Sequence, residues 1–190
     1  MWWRESLLRA PQLARLIAVF AAASFTAGCW EPLYATRPAA NSESVQQKFA
    51  AIDIPPIVAP KGEGDPVQRI AVGMFNALQF DLHNGGHTMA PAYRLDVEVG
   101  ATQFTAVVDP VSGRPDAQIA TVTASYQLVE VATRKTVVED TAIMQVDYDV
   151  PGPQQRFASQ RALRDAEDRA IRVVAEAIRN RLASYFVAGT

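Results

Sequence analysis

The chain is poor in the residues that build reactive centres. Its 190 residues contain one cysteine, Cys29, and two histidines, His83 and His87. One cysteine closes no internal disulfide, and a zinc site normally takes four ligands. The two histidines are four apart, but Asn84-Gly85-Gly86 between them should end a helix. They would then share no face, so both are expected to be exposed at a helix end rather than to hold a metal. There is no G-x-S-x-G elbow, no H-E-x-x-H and no glycine-rich phosphate loop, which removes the usual signatures of serine hydrolases, zinc proteases and nucleotide binders. Asp147 and Asp149 flank Tyr148 at strand spacing and read as solvated carboxylates at a strand end. No carboxylate pair stands out as general acid and base. No enzymatic activity, no metal and no cofactor are therefore expected. The formal net charge is −2, without the basic excess of a nucleic-acid binder.

The first thirty residues do not read like the rest. Arg4, Arg9 and Arg15 give a positive start, and residues 16–27 (LIAVFAAASFTA) carry no charge. This run is shorter than the roughly 20 apolar residues that span a bilayer, and it has the layout of a secretory signal. It ends in Thr26-Ala27-Gly28-Cys29, small residues followed by cysteine. That ending resembles the bacterial lipobox, which implies acylation of the Cys29 thiol and cleavage between Gly28 and Cys29. Acylation also accounts for a lone cysteine in a secreted chain. By the same resemblance, Trp30 rather than Asp after the cysteine favours the outer membrane.

Residues 1–28 are thus a signal peptide, leaving 162 residues, enough for one domain. Residues 29–46 read as the acylated cysteine and a flexible tether rich in Pro, Ala, Asn and Ser, and residues 47–188 as the domain. A short edge strand is expected near Ala50 to Ile54, because Pro55 and Pro56 remove ladder donors. Asp65-Pro66 opens a helix from Pro66 to His83, with Val67, Ile70, Ala71, Met74, Ala77, Leu78 and Leu82 on one stripe. Tyr93, Leu95, Val97 and Val99 alternate with polar residues, and strands follow over Ile119–Val131 and Thr136–Tyr148. Pro151-Gly152-Pro153 then introduces a helix from Gln155 to Phe186, whose apolar stripe includes Phe157, Leu163, Ala170, Ile171, Val174, Ile178, Leu182 and Tyr185. Its polar side offers one-turn pairs such as Asp165–Arg169 and Arg164–Asp168. The order β-α-β-β-β-α predicts an α+β two-layer domain, in which two helices cover one face of a small, mostly antiparallel four-stranded sheet.

Recognition is what remains for function. Arg114 sits at one strand turn and Arg134-Lys135 at another, and exposed cations on rigid turns can bind phosphate. The bland reading is solubility, for which such turns also carry Lys or Arg. The helix after residue 154 holds seven arginines against four acidic residues, which balance much of that charge.

Taken together, the lipobox, the Cys29-Trp30-Glu31-Pro32-Leu33-Tyr34 segment, the tether and the element order resemble the LPS-assembly lipoprotein family (LptE). The family has a Gly after the cysteine that this sequence lacks. The resemblance implies an outer-membrane, periplasm-facing lipoprotein with two partners: lipopolysaccharide and the β-barrel LPS-assembly protein (LptD-like) whose lumen it plugs. It further implies lipopolysaccharide contact through basic residues, for which Arg114, Arg134 and Lys135 occupy comparable turns. An anchored accessory lipoprotein of a phospholipid transport system is the alternative. Cys29→Ser should abolish incorporation of labelled palmitate and release the chain from the membrane fraction; retention with label would place the acylation elsewhere.

Overall fold

The computed structural model describes residues 44–60, 65–84, 89–152 and 155–188. Cys29, most of the tether and His87 lie outside the described residues. The elements are α1 (Val45–Ala50), β1 (Ile52–Asp53), α2 (Asp65–His83), β2 (Tyr93–Val108), β3 (Pro115–Glu130), β4 (Thr136–Asp149) and α3 (Arg156–Ala188).

The long strands form as their alternation predicts. The sheet order is β1-β2-β3-β4, with β1 parallel to β2 and the other pairs antiparallel. The register aligns Leu95 with Leu128 and Val138, and Val99 with Ala124 and Ala142. Successive side chains of a strand point to opposite faces, so these residues line one face together with Ala120, Val122, Tyr126, Val146 and Tyr148, and most of them are buried. The helices lie against that face. α2 contributes Val67, Ile70, Ala71, Met74, Leu78 and Leu82, and α3 contributes Ala170, Ile171, Val174, Ala175, Ile178, Leu182 and Ala183 to one continuous core. A Cβ at Gly73 would stand 3.1 Å from Ile171 Cδ1, so α2 meets α3 at a spot only glycine fits comfortably.

Three local expectations need correction. The strand expected over Ala50 to Ile54 is present but shorter: a helix, α1, runs up to Ala50, and β1 keeps only Ile52 and Asp53. The helix starts because Ser44 and Gln47 form a reciprocal capping box, with Ser44 Oγ accepting from Gln47 N (3.2 Å) and Gln47 Oε1 accepting from Ser44 N (2.9 Å). Phe157, placed on the inner stripe of the last helix, is 88% exposed; the first turn runs clear of the core, against which Ala162 and Leu163 pack. His83 is buried rather than exposed. Its Nε2 lies 3.0 Å from the Ile52 carbonyl, which can only accept, and its Nδ1 lies 2.6 Å from Gln79 Oε1. The histidine thus ties the end of α2 to β1. Asn84 is left-handed directly after α2 (φ 49), and Gly85 and Gly86 lie outside the described residues.

One interaction between distant residues fastens the helical layer. Arg69 on α2 reaches Glu167 with Nη2 and Asp168 with Nη1 (2.9 Å) on α3. Glu167 is buried, so its charge depends on this partner. Asp168 is therefore engaged across the helix pair, whereas Asp165–Arg169 does close within α3 (3.0 Å). At the other end of α3, Phe186 packs edge-on against Phe49 (6.0 Å) and Tyr93 (5.2 Å), and Lys48 Nζ donates to its carbonyl (3.3 Å). Arg69→Met should destabilise by about 2–3 kcal/mol, because it leaves Glu167 buried and unpaired. Arg69→Met combined with Glu167→Met should recover most of that loss in chemical denaturation. Equal losses in the single and double variants would show that the pair contributes nothing.

Candidate functional site

The structure separates the sequence-predicted basic residues. Arg114 closes the β2–β3 turn and Arg134-Lys135 the β3–β4 turn, at opposite ends of β3. That strand has 16 residues, so the two turns stand about 50 Å apart at roughly 3.3 Å per residue. No single headgroup touches all three.

The Arg114 turn is built by Asp109. Its carboxylate accepts from Val111 N (2.7 Å), Ser112 N (3.3 Å) and Ser112 Oγ (2.9 Å). Chiefly these backbone and hydroxyl hydrogen bonds hold its pKa below the usual carboxylate value. Gly113 follows in the left-handed region (φ 69), and Asp109 N donates to Arg114 O (2.8 Å). The turn is therefore rigid while the Arg114 side chain stays exposed.

Residues missed by sequence reading gather at this same end. Asp149, the last residue of β4, pairs with Ala117 at the start of β3, and the short link to α3 begins there. Arg156, Phe157 and Arg161 are consequently at the Arg114 end of the sheet. Arg114, Arg156, Arg161 and Arg164 form no ion pair among the described residues, whereas Arg169 does. Val107, Val108 and Val111 are exposed on the hairpin, Val111 at 95%. Asp109, Asp116 and Asp149 share this end, so any pull on an anion comes from the individual guanidinium groups. The available signal was the arginine-rich start of α3, whose connection to Arg114 depends on the fold.

At the opposite turn Arg134 itself is left-handed (φ 58), and its N–H donates to Glu130 O (2.8 Å). Thr133 Oγ1 donates to Glu130 Oε2 (2.6 Å). A left-handed non-glycine residue costs about 1 kcal/mol, so arginine is not the choice that best suits this backbone.

The uncovered sheet face has a different character. An open concavity of about 540 Å³ is lined by Arg94, Asp96, Glu98, Gln127 and Glu139 with Pro55 and Pro56. Arg94 is bound to Asp96 (2.8 Å), and Gln127 donates to Glu139 (3.1 Å). Four carboxylates, Asp96, Glu98, Glu139 and Asp140, against one occupied arginine repel an anionic ligand. Asp147 and Asp149 are exposed at the end of β4. Among the described residues no three metal-ligating side chains cluster, and no helix is long and apolar enough to cross a membrane.

The fold places the chain beside bacterial lipoprotein domains of known structure. A candidate lipoprotein of Caulobacter crescentus superimposes with a TM-score of 0.55 at 19% identity, over 76% of this chain and 96% of that one. Rare lipoprotein B of Shewanella oneidensis gives 0.50 at 13% identity, over 71% and 97%. An uncharacterised lipoprotein B of Nitrosomonas europaea gives 0.51 at 10% identity, over 82% and 95%. No family model and no curated protein matches. At these identities the likeness is one of fold.

Arg134→Gly should raise hairpin stability by roughly 0.5–1 kcal/mol, since glycine accepts positive φ without a Cβ penalty. A fall in the unfolding midpoint would mean that the arginine side chain has a structural partner of its own.

Proposed function

We propose that this chain is a lipoprotein acylated at Cys29, facing the periplasm from the outer membrane, which plugs an outer-membrane LPS-assembly β-barrel and assists it in inserting lipopolysaccharide. It acts by binding, with no bond made or broken. Three observations support the reading: the lipobox-like Thr26-Ala27-Gly28-Cys29, a fold shared with rare lipoprotein B, and the composition of the Arg114 end. The last carries it. The guanidinium groups of Arg114, Arg156 and Arg161, in no ion pair among the described residues, stand at the same end of the fold as exposed Val107, Val108, Val111 and Phe157. An amphiphile with an anionic headgroup and acyl chains needs both chemistries, and Arg can meet a phosphate with two parallel hydrogen bonds. Arg134 and Lys135 make a separate contact about 50 Å away.

Two measurements test the reading. With a tag after Thr190 and mild detergent, one large β-barrel should co-purify in equal amount; recovery alone or with an inner-membrane phospholipid transporter would remove the plug. In lipopolysaccharide capture at low salt, Arg114→Ala with Arg161→Ala should weaken binding by at least roughly fivefold per residue, equivalent to about 1 kcal/mol for a solvent-exposed charge contact. Unchanged capture would exclude that end as the headgroup site.

A further inference from the structure

The two edges of the sheet are protected unequally. β4 forms one edge and carries Glu139, Asp140, Asp147 and Asp149 without a basic residue. Asp140 Oδ1 accepts from Thr141 N (2.8 Å), Arg181 reaches Asp140 (3.5 Å), and Arg169 donates to the Asp147 carbonyl (3.4 Å). Charge and capping of this kind keep strand edges from pairing with other chains. Beyond Glu98 the β2 edge lacks both. β1 pairs only with Tyr93 and Arg94, and Pro55 and Pro56 then pass beside Asp96 and Glu98 without donors to offer. From Val99 to Thr105 (VGATQFT) β2 has no charge, no proline and, among the described residues, no strand paired with it on that side. The register slips only beyond Thr105, so these seven residues are a regular, unpaired strand edge.

A lipid surface does not suit this edge, because acyl chains supply no partner for main-chain N–H and C=O groups. The occupant must be another extended backbone, and among the described residues the chain offers one uncharged edge of that kind. We propose that two copies pair antiparallel through β2, about a twofold axis at Thr102. An axis there sets Val99 opposite Thr105, Gly100 opposite Phe104 and Ala101 opposite Gln103. Two features favour this register. A Cβ at Gly100 would meet nothing within 4 Å, and Phe104, on the same uncovered face, is 46% exposed. Each Phe104 ring therefore covers the partner's Gly100, a contact that stabilises glycine at a strand edge. Glu98 falls opposite Ala106, so no like charges meet. One strand pair with two rings buries less than the roughly 1,200 Å² of a tight interface, which makes the association a reversible one in the micromolar range. The inference does not rest on the proposed function.

The test is the mass of the full chain in detergent micelles by analytical ultracentrifugation over a micromolar concentration series. The parent should move from monomer to dimer. Thr102→Lys and Thr102→Glu should each remain monomeric with the parent's circular dichroism, and an equimolar mixture of the two should dimerise. Phe104→Ala should weaken the dimer about tenfold, within the range of a lost aromatic contact. A parent that stays monomeric, a dimer that survives Thr102→Lys, or a Lys/Glu mixture that fails to pair would each overturn the proposal.

Discussion

A sheet covered on one face only is the constraint from which the rest of this structure follows. Inward side chains of β2, β3 and β4 need apolar cover, and the fold supplies it with two helices pressed together at Gly73 and Ile171. Close contact of two amphipathic helices brings their polar flanks together as well. Arg69 resolves that conflict by neutralising Glu167 and Asp168 at the seam. Everything outside the helical layer must find cover by other means: the opposite face by polar side chains bonded to one another, β4 by its acids, and the far hairpin by neither.

The main elements were legible because their signals are local and repeated. Alternation in Tyr93-Arg94-Leu95-Asp96-Val97 gave β2, and the 3.6-residue stripe from Val67 to Leu82 gave α2 to within a residue of its observed bounds. Short elements were not legible in the same way. Six residues of α1 are too few to show a helical period, and only Ser44 and Gln47 at capping-box spacing announced it. Contacts between distant residues left no trace at all. His83 reads as a solvated helix-end residue until β1 brings the Ile52 carbonyl to its ring, and Arg69 lies 98 positions from Glu167.

The candidate site shows the same division. Arg114, Arg134 and Lys135 could be picked out as turn cations, but their separation is a property of the strand between them. The company kept by Arg114 depends on the link after β4, which carries the chain back to start α3 at that end. Phe157 shares the period of the buried stripe yet is exposed, because periodicity specifies a face and not where cover begins. Ala162 and Leu163 are where it does.

The ends of the domain are unlike in one further respect. Ala51 O accepts from Ala92 N and Tyr93 N, and Val131 N donates to Ala92 O, so α1 sits at the Arg134 end. Ser44 and α1 therefore stand at one extremity, and Arg114 marks the other. The intervening strand length of about 50 Å exceeds the roughly 30 Å hydrocarbon thickness of a bilayer. Along the sheet, then, whatever is gripped at Arg114 stands farther from Ser44 than one membrane core is thick.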